Sequence, residues 1–196
     1  MTLFLAICLG IGLALGVGLR PFLPALLIGA LARGDVGIDF SGTDLSFLEA
    51  PVFLLVLLLG VVGLIVAERR LGSDRVEAGP AGLVVGGVAL VLGALYFAGA
   101  LADDDYSWWP GLVGGVLCAT LAVATARVFF RRTRSRLDSE AAAALPVYAE
   151  GAGVAVAGLS VLLPPLSLVA LAFLAWLLLG QRRREGQKYA GLRVLR

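Results

Sequence analysis

The sequence predicts an all-α fold, a polytopic bundle of transmembrane helices, and three observations carry that reading. Hydrophobic residues make up 60% of the 196 residues against 15% charged, with a mean hydropathy of +0.96. A soluble fold of this size cannot hide so much apolar surface. The apolar residues fall in runs near the roughly 20 that a helix needs to cross a 30 Å hydrocarbon core. Thirteen of the sixteen Lys and Arg fall in three segments: Glu68 to Pro80, Arg131 to Val147, and the tail after Gln181. The positive-inside rule places these in the cytoplasm. Between them lie the acidic segments Ala32 to Ala50 and Ala102 to Trp109, which therefore face the other side.

One transmembrane domain is expected over 1–180, followed by a basic cytoplasmic tail over 181–196. Residues 2–31 are too long for one simple span and short for two, and read either as a proline-broken hairpin or as a single kinked span. The segment lacks the basic n-region and cleavage site of a signal peptide, so it is kept as mature structure. Three ordinary spans follow at 51–67, 81–101 and 110–130. Pro51 and Pro110 stand at first-turn positions, where a missing N–H costs nothing. Tyr106, Trp108 and Trp109 form an interfacial aromatic belt. Gly82/Gly86 and Gly111/Gly115 are GxxxG pairs that read as close helix packing. The last apolar segment, 148–180, has basic flanks at both ends and must cross an even number of times. Pro164-Pro165 breaks it into two arms, Glu150 to Leu163 and Leu166 to Leu179.

The two broken segments share a pattern. Gly18-Leu19-Arg20-Pro21-Phe22-Leu23-Pro24-Ala25-Leu26 aligns with Gly158-Leu159-Ser160-Val161-Leu162-Leu163-Pro164-Pro165-Leu166, matching at Gly, Leu, Leu, Pro and Leu. In a chain this rich in Leu and Gly the match has two readings, chance and duplication. Duplication would relate the hairpins by inverted topology, a recurrent build of secondary transporters in which broken helices frame the substrate site.

Arg20 is the basic residue that no loop or helix end accounts for. A charge at membrane depth pairs with something or faces water. It either holds an anion through its planar fork, or caps carbonyls freed at Pro21 and Pro24, or snorkels to a headgroup if the hairpin tip reaches the inner surface. Glu150 is the acidic candidate, as an N-terminal helix residue, an ion-pair partner of Arg20 or a proton-coupling carboxylate. Ser160, aligned with Arg20, could donate into the same cavity. The expected substrate-binding set is thus Arg20, Glu150, Ser160, Pro24 and Pro164, with no catalytic residue. Arg127, one turn from the basic end of its helix, is expected to snorkel.

Enzyme classes fare badly. There is no histidine, which removes Ser-His and Cys-His pairs and histidine-ligated zinc. No nucleotide-binding fingerprint is present, Cys8 and Cys118 read as small core residues without metal-ligand spacing, and neither metal nor cofactor is expected. The basic residues read as topology determinants rather than as a nucleic-acid surface. The Asp103-Asp104-Asp105 run reads as a solvated loop.

At Gly10-Ile11-Gly12 through Gly18 to Pro24, together with Glu150-Gly151-Ala152-Gly153, Leu163-Pro164-Pro165 and the closing Lys188 to Arg196, the chain resembles a bacterial membrane family known as domain of unknown function 4126. The resemblance implies an integral inner-membrane protein and brings no activity. The pattern of glycine, arginine and proline is also similar in architecture to re-entrant lipid-carrier transporters. The expected function is a small transporter or channel-like translocator of a small anion or an anionic lipid. A non-catalytic scaffold, whose Gly-rich faces assemble a homo-oligomer or hold a partner, is the competing expectation.

Overall fold

The computed structural model describes residues 2–72, 76, 79–134 and 139–192, with side chains at all of these except 71, 134, 139–143 and 181–192. Among the described residues there are seven α-helices and no strand. They are α1 Leu3–Leu19, α2 Phe22–Arg33, α3 Pro51–Leu71, α4 Pro80–Ala102, α5 Trp109–Arg134, α6 Ser139–Leu162 and α7 Leu166–Leu192, with a 3₁₀ turn at Ser46–Glu49.

The first break is local chemistry. Proline disfavours helix in the residue before it, and Arg20, before Pro21, is extended at φ −150°, ψ 123°. Pro24 falls in the first turn of α2, where no intrahelical donor is missed. The second break is Leu163 to Pro165, turned by bonds from Leu166 N to Leu163 O and from Ser167 N to Pro164 O.

Close contacts fix the helix directions. Gly12 abuts Ser160 and Ser167, and Gly16 abuts Gly153 and Ala157, so α6 runs opposite to α1. Gly153 also meets Pro24, Gly158 meets Leu27 and Gly37 meets Val161, which sets α2 parallel to α6 and antiparallel to α1. Residues 2–31 are therefore two helices side by side, not one kinked span. Leu54 on Gly29 and Phe22 on Gly60 turn α3 back. Gly111 on Ala98 and Gly115 on Ala94 lay α5 antiparallel against the backbone of α4. Leu174 joins Leu15 and Ala122 in one apolar cluster, which runs α7 alongside α1.

This alternation sorts charge by position. Arg20, Arg69, Arg70, Arg127, Arg131 and Arg132 gather at one end, and Asp35, Asp39, Asp44, Glu49 and Asp103 to Asp105 at the other. The segregation expected from the sequence is present. Arg75 and the side chains of the 181–196 tail lie outside the described residues.

Helix α1 is the axis of the bundle, packed by α4, α5, α6 and α7. Leu9, Leu13, Leu15 and Val17 are fully buried, as suits a helix apolar on every face. Helix α3 lies at the periphery, with only 11% of its span buried and Val52, Leu55, Leu59 and Val62 exposed. That face belongs in lipid, which has no hydrogen bonds to offer and asks for none.

Among the described residues four helices are long and apolar enough to cross a membrane, not three. The fourth is Ala144–Leu162, the first arm of the second broken segment. It was expected to begin at Glu150 as a short arm. Instead α6 begins at Ser139 and carries Pro146 inside it. Leu145 and Ala149, on either side of Pro146, pack with Ala126 and Phe130 of α5 and with Leu19, contacts that hold the helix through a residue that ordinarily breaks one.

At the acidic end the 34–50 loop folds back over the bundle. Phe40, fully buried, packs on Tyr96 at 6.0 Å between ring centroids. The Glu49 carboxylate accepts hydrogen bonds from Phe40 N at 3.3 Å and Ser41 Oγ at 3.1 Å. Tyr96 in turn donates to Ala25 O at 2.8 Å, tying α4 to α2. Tyr96→Phe leaves that buried carbonyl one donor short, and should lower thermal stability in detergent by about 1 kcal/mol.

The Asp103 carboxyl is held above its ordinary value of 3.8 by burial, against a backbone hydrogen bond from Asp39 and with the charges of Asp104 and Asp39 adding to the rise. Folding therefore favours its protonated form. That contribution is complete below 3.8 and is lost as pH rises through the raised folded-state value. Asp103→Asn should consequently show a higher Tm than the parent at neutral pH, a gain that vanishes at low pH. A parent and variant that keep equal Tm values from acid to neutral pH would refute it.

Candidate functional site

The site is built where the first helix break meets the ends of three other helices. At Arg20 the chain leaves helical geometry, and the side chain turns inward, 5% exposed. Its Nη1 donates to Glu68 Oε1 at 2.8 Å, both side chains nearly buried at 6% and 13% exposure. Glu68 reaches it because α3 continues to Leu71, one turn beyond the end expected from hydropathy. The ring of Phe130, near the end of α5, lies 6.0 Å from the guanidinium carbon, within range of a cation–π contact.

Glu150 stands opposite, on α6. Gly16 touches Gly153, and the two helices run antiparallel. Four residues on from Gly16 and three back from Gly153, Arg20 and Glu150 come to the same depth, about 5 to 6 Å nearer the basic end. Glu150 lies within electrostatic reach of both Arg20 and Glu68. Its Oε2 is buried and has no hydrogen-bond partner among the described residues. The reading of Glu150 as an N-terminal helix residue is corrected: it sits about three turns inside α6, where the terminal partial charge no longer acts.

The structure brings together two of the five expected site residues. Arg20 and Glu150 share the basic end. Pro24 is fully buried against Gly153 one turn above and serves packing. Ser160 donates to Val156 O at 2.6 Å within its own helix and packs on Gly12. Eight residues separate Gly12 from Arg20, about 12 Å along the helix, so Ser160 does not reach the guanidinium. Pro164 lies farther still, in the turn at the acidic end. The two breaks do not frame one cavity, because antiparallel packing sends their turns to opposite ends of the bundle.

What does open at Arg20 is a cavity of about 70 Å³ lined by Arg20, Pro21, Leu64, Val76, Arg127 and Phe130 among others, roomy enough for a few waters or a small polar group. Arg127, at its rim, donates from Nη2 to Gly82 O at 2.8 Å. It is exposed near the basic end of its helix, where it was expected to snorkel, and its bond also ties α5 to the first turn of α4. Beyond Phe130 lies a second, larger cleft of about 390 Å³, walled almost wholly by apolar side chains of α5, α6 and α7. Among the described residues no cluster of three or more His, Cys, Asp or Glu stands ready to hold a metal ion.

Sequence reasoning missed Glu68 and Phe130. Glu68 sits between Ala67 and the pair Arg69-Arg70 and reads as part of a solvated basic segment. The available signal was parity: the first break and the end of α3 fall on the same side, and Arg20 needed a partner.

A family model described as Domain of unknown function (DUF4126) matches residues 7–184. No curated protein and no solved structure matches the chain.

Proposed function

Since the chain belongs to this family, Domain of unknown function (DUF4126), and inherits no activity from it, we propose from the geometry that it is a non-enzymatic membrane translocator of a small anion or the anionic headgroup of a lipid. Arg20 is the anion seat, and Glu68 and Glu150 are carboxylates that compete with the anion for it. The basic end faces the cytoplasm of a bacterial inner membrane, with the C-terminus on that side, and α1–α2 and α6–α7 form an inverted pair of hairpins. The observation that carries the reading is the buried Arg20–Glu68 pair, closed at 2.8 Å and opening on the small cavity. The pair sits at the basic end of the bundle yet is nearly buried, and a charge withheld from water is expensive to keep; inward-facing ionisable groups in membrane proteins mark substrate and ion pathways. A guanidinium whose fork fits carboxylate and phosphate alike can exchange an internal carboxylate for an external anion.

The test uses purified protein in liposomes, with efflux of inorganic phosphate in one arm and flipping of fluorescent phosphatidylglycerol in the other. At least one rate should exceed that of protein-free vesicles. It should fall about tenfold or more in Arg20→Leu/Glu68→Leu, which removes the seat without stranding Glu68, while Arg20→Lys should rescue only in part. Vesicles that show neither rate, with protein present as a discrete homo-oligomer, would favour the scaffold reading.

The orientation has its own check in intact cells. A cysteine replacing Asp104 should react with an impermeant thiol reagent added outside, and one replacing Arg70 should not.

A further inference from the structure

We infer that the apolar cleft between α5, α6 and α7 seats an acyl chain of an anionic phospholipid, whose phosphate lies in the adjoining cavity at Arg20 and Arg127. The inference rests on the anion-translocating reading above and chooses lipid over small anion as its cargo or regulator.

Adjacency is the first support. Leu19, Ala126 and Phe130 line both the 70 Å³ cavity and the 390 Å³ cleft. These three side chains are a common boundary between a chamber that holds Arg20 and Arg127 in an otherwise apolar lining and a cleft that is apolar almost throughout, with the Arg20 guanidinium carbon 6.0 Å from the Phe130 ring. A ligand occupying both chambers must be polar at one end and apolar over a long stretch.

The lining chemistry is the second. Thr125 faces the cleft, but its Oγ1 already donates to Leu121 O at 2.8 Å and lies 3.4 Å from Leu174 O. Tyr148, 73% exposed, brings the one other hydroxyl of the lining, and the rest of the wall, from Leu145 and Val156 to Phe173 and Leu177, has no hydrogen-bonding side chain. Such a cleft rewards only apolar area removed from other surroundings. The third support is charge: Arg127 stands at the chamber rim, and Arg131 and Arg132 follow on the same helix. Cations at the head end and none in the tail region match a negatively charged lipid and disfavour a zwitterionic one.

The test is native mass spectrometry of the full chain released from micelles containing phosphatidylglycerol or phosphatidylcholine, beside the two transport arms described above. A one-to-one phosphatidylglycerol adduct should persist, with phosphatidylcholine retained far less. Ala152→Phe, which fills the cleft from an exposed position on α6, should cut retention about tenfold or more by occupying the chain's space. Ala170→Phe fills it from α7 and repeats the result independently; an unchanged Tm for either variant shows that the fold is intact.

Retention unaffected by both variants, or equal retention of the two lipids, means annular lipid only and overturns the inference. A dimer that disappears on filling the cleft, with no lipid adduct, assigns the cleft to a second copy and also overturns it. Phosphate efflux that survives filling, with no specific adduct, sinks the lipid assignment but leaves the translocator standing. A specific adduct lost on filling, with no transport in either arm, supports the lipid site and sinks the translocator.

Discussion

Glu68→Ala should be among the most damaging single substitutions in the chain, costing about 3 to 5 kcal/mol in detergent unfolding. The carboxylate it removes neutralises an arginine that is 95% buried, at a bond of 2.8 Å. Glu150 stands near enough to take over part of that role, which sets the expectation toward the lower figure. Arg20→Leu alone is damaging for the mirror reason, since it strands Glu68. The double variant Arg20→Leu/Glu68→Leu should recover most of the loss, because replacing a buried ion pair with apolar residues of similar volume is close to neutral. A double variant no more stable than either single one would show that the pair is not the energetic unit it appears in geometry. The recovery matters for function too, because it separates loss of the anion seat from loss of the fold.

Gly16→Leu should cost about 3 kcal/mol or more, the upper end of what overpacking does. A Cβ at Gly16 would lie 2.7 Å from the carbonyl oxygen of Gly153 and 2.9 Å from Ala157 Cβ. The obstacle is facing backbone, which cannot rotate away as a side chain can, and α1 is the axis on which four helices pack. Even Gly16→Ala should lower stability measurably. Gly63→Leu is the control: nothing lies within 4 Å of a Cβ at Gly63 on the lipid-facing α3, and leucine there should be neutral. Equal Tm values for Gly16→Leu and the parent would mean that α1 and α6 do not meet as described.

These two expectations mark where sequence reading stops. The spans of α3, α4 and α5 and the sorting of charge to opposite ends were legible because each depends on chain-local properties. Hydropathy summed over about 20 residues answers to bilayer thickness, and proline acts on its own neighbours, as Pro21 does on Arg20. The helical breaks at Arg20 and Pro164 were therefore placed correctly.

The site was only half legible. Arg20 announced itself as a charge without an excuse, but its partner came from 48 residues away, on a helix whose last turn looked like loop. The inference that two similar breaks meet at one cavity failed on geometry. Antiparallel helices joined by tight turns must send successive turns to opposite ends, so Ser160 and Pro164 could not reach Arg20. By itself the sequence determined that this is a helical membrane protein, where its chain bends, and which residue carries an unexplained charge. Only the tertiary structure decided that the charge is answered by Glu68, that Glu150 lies three turns inside a helix, and that an apolar cleft stands behind Phe130. Partners and cavities are set by packing between distant segments, and no local rule of hydropathy or turn chemistry encodes them.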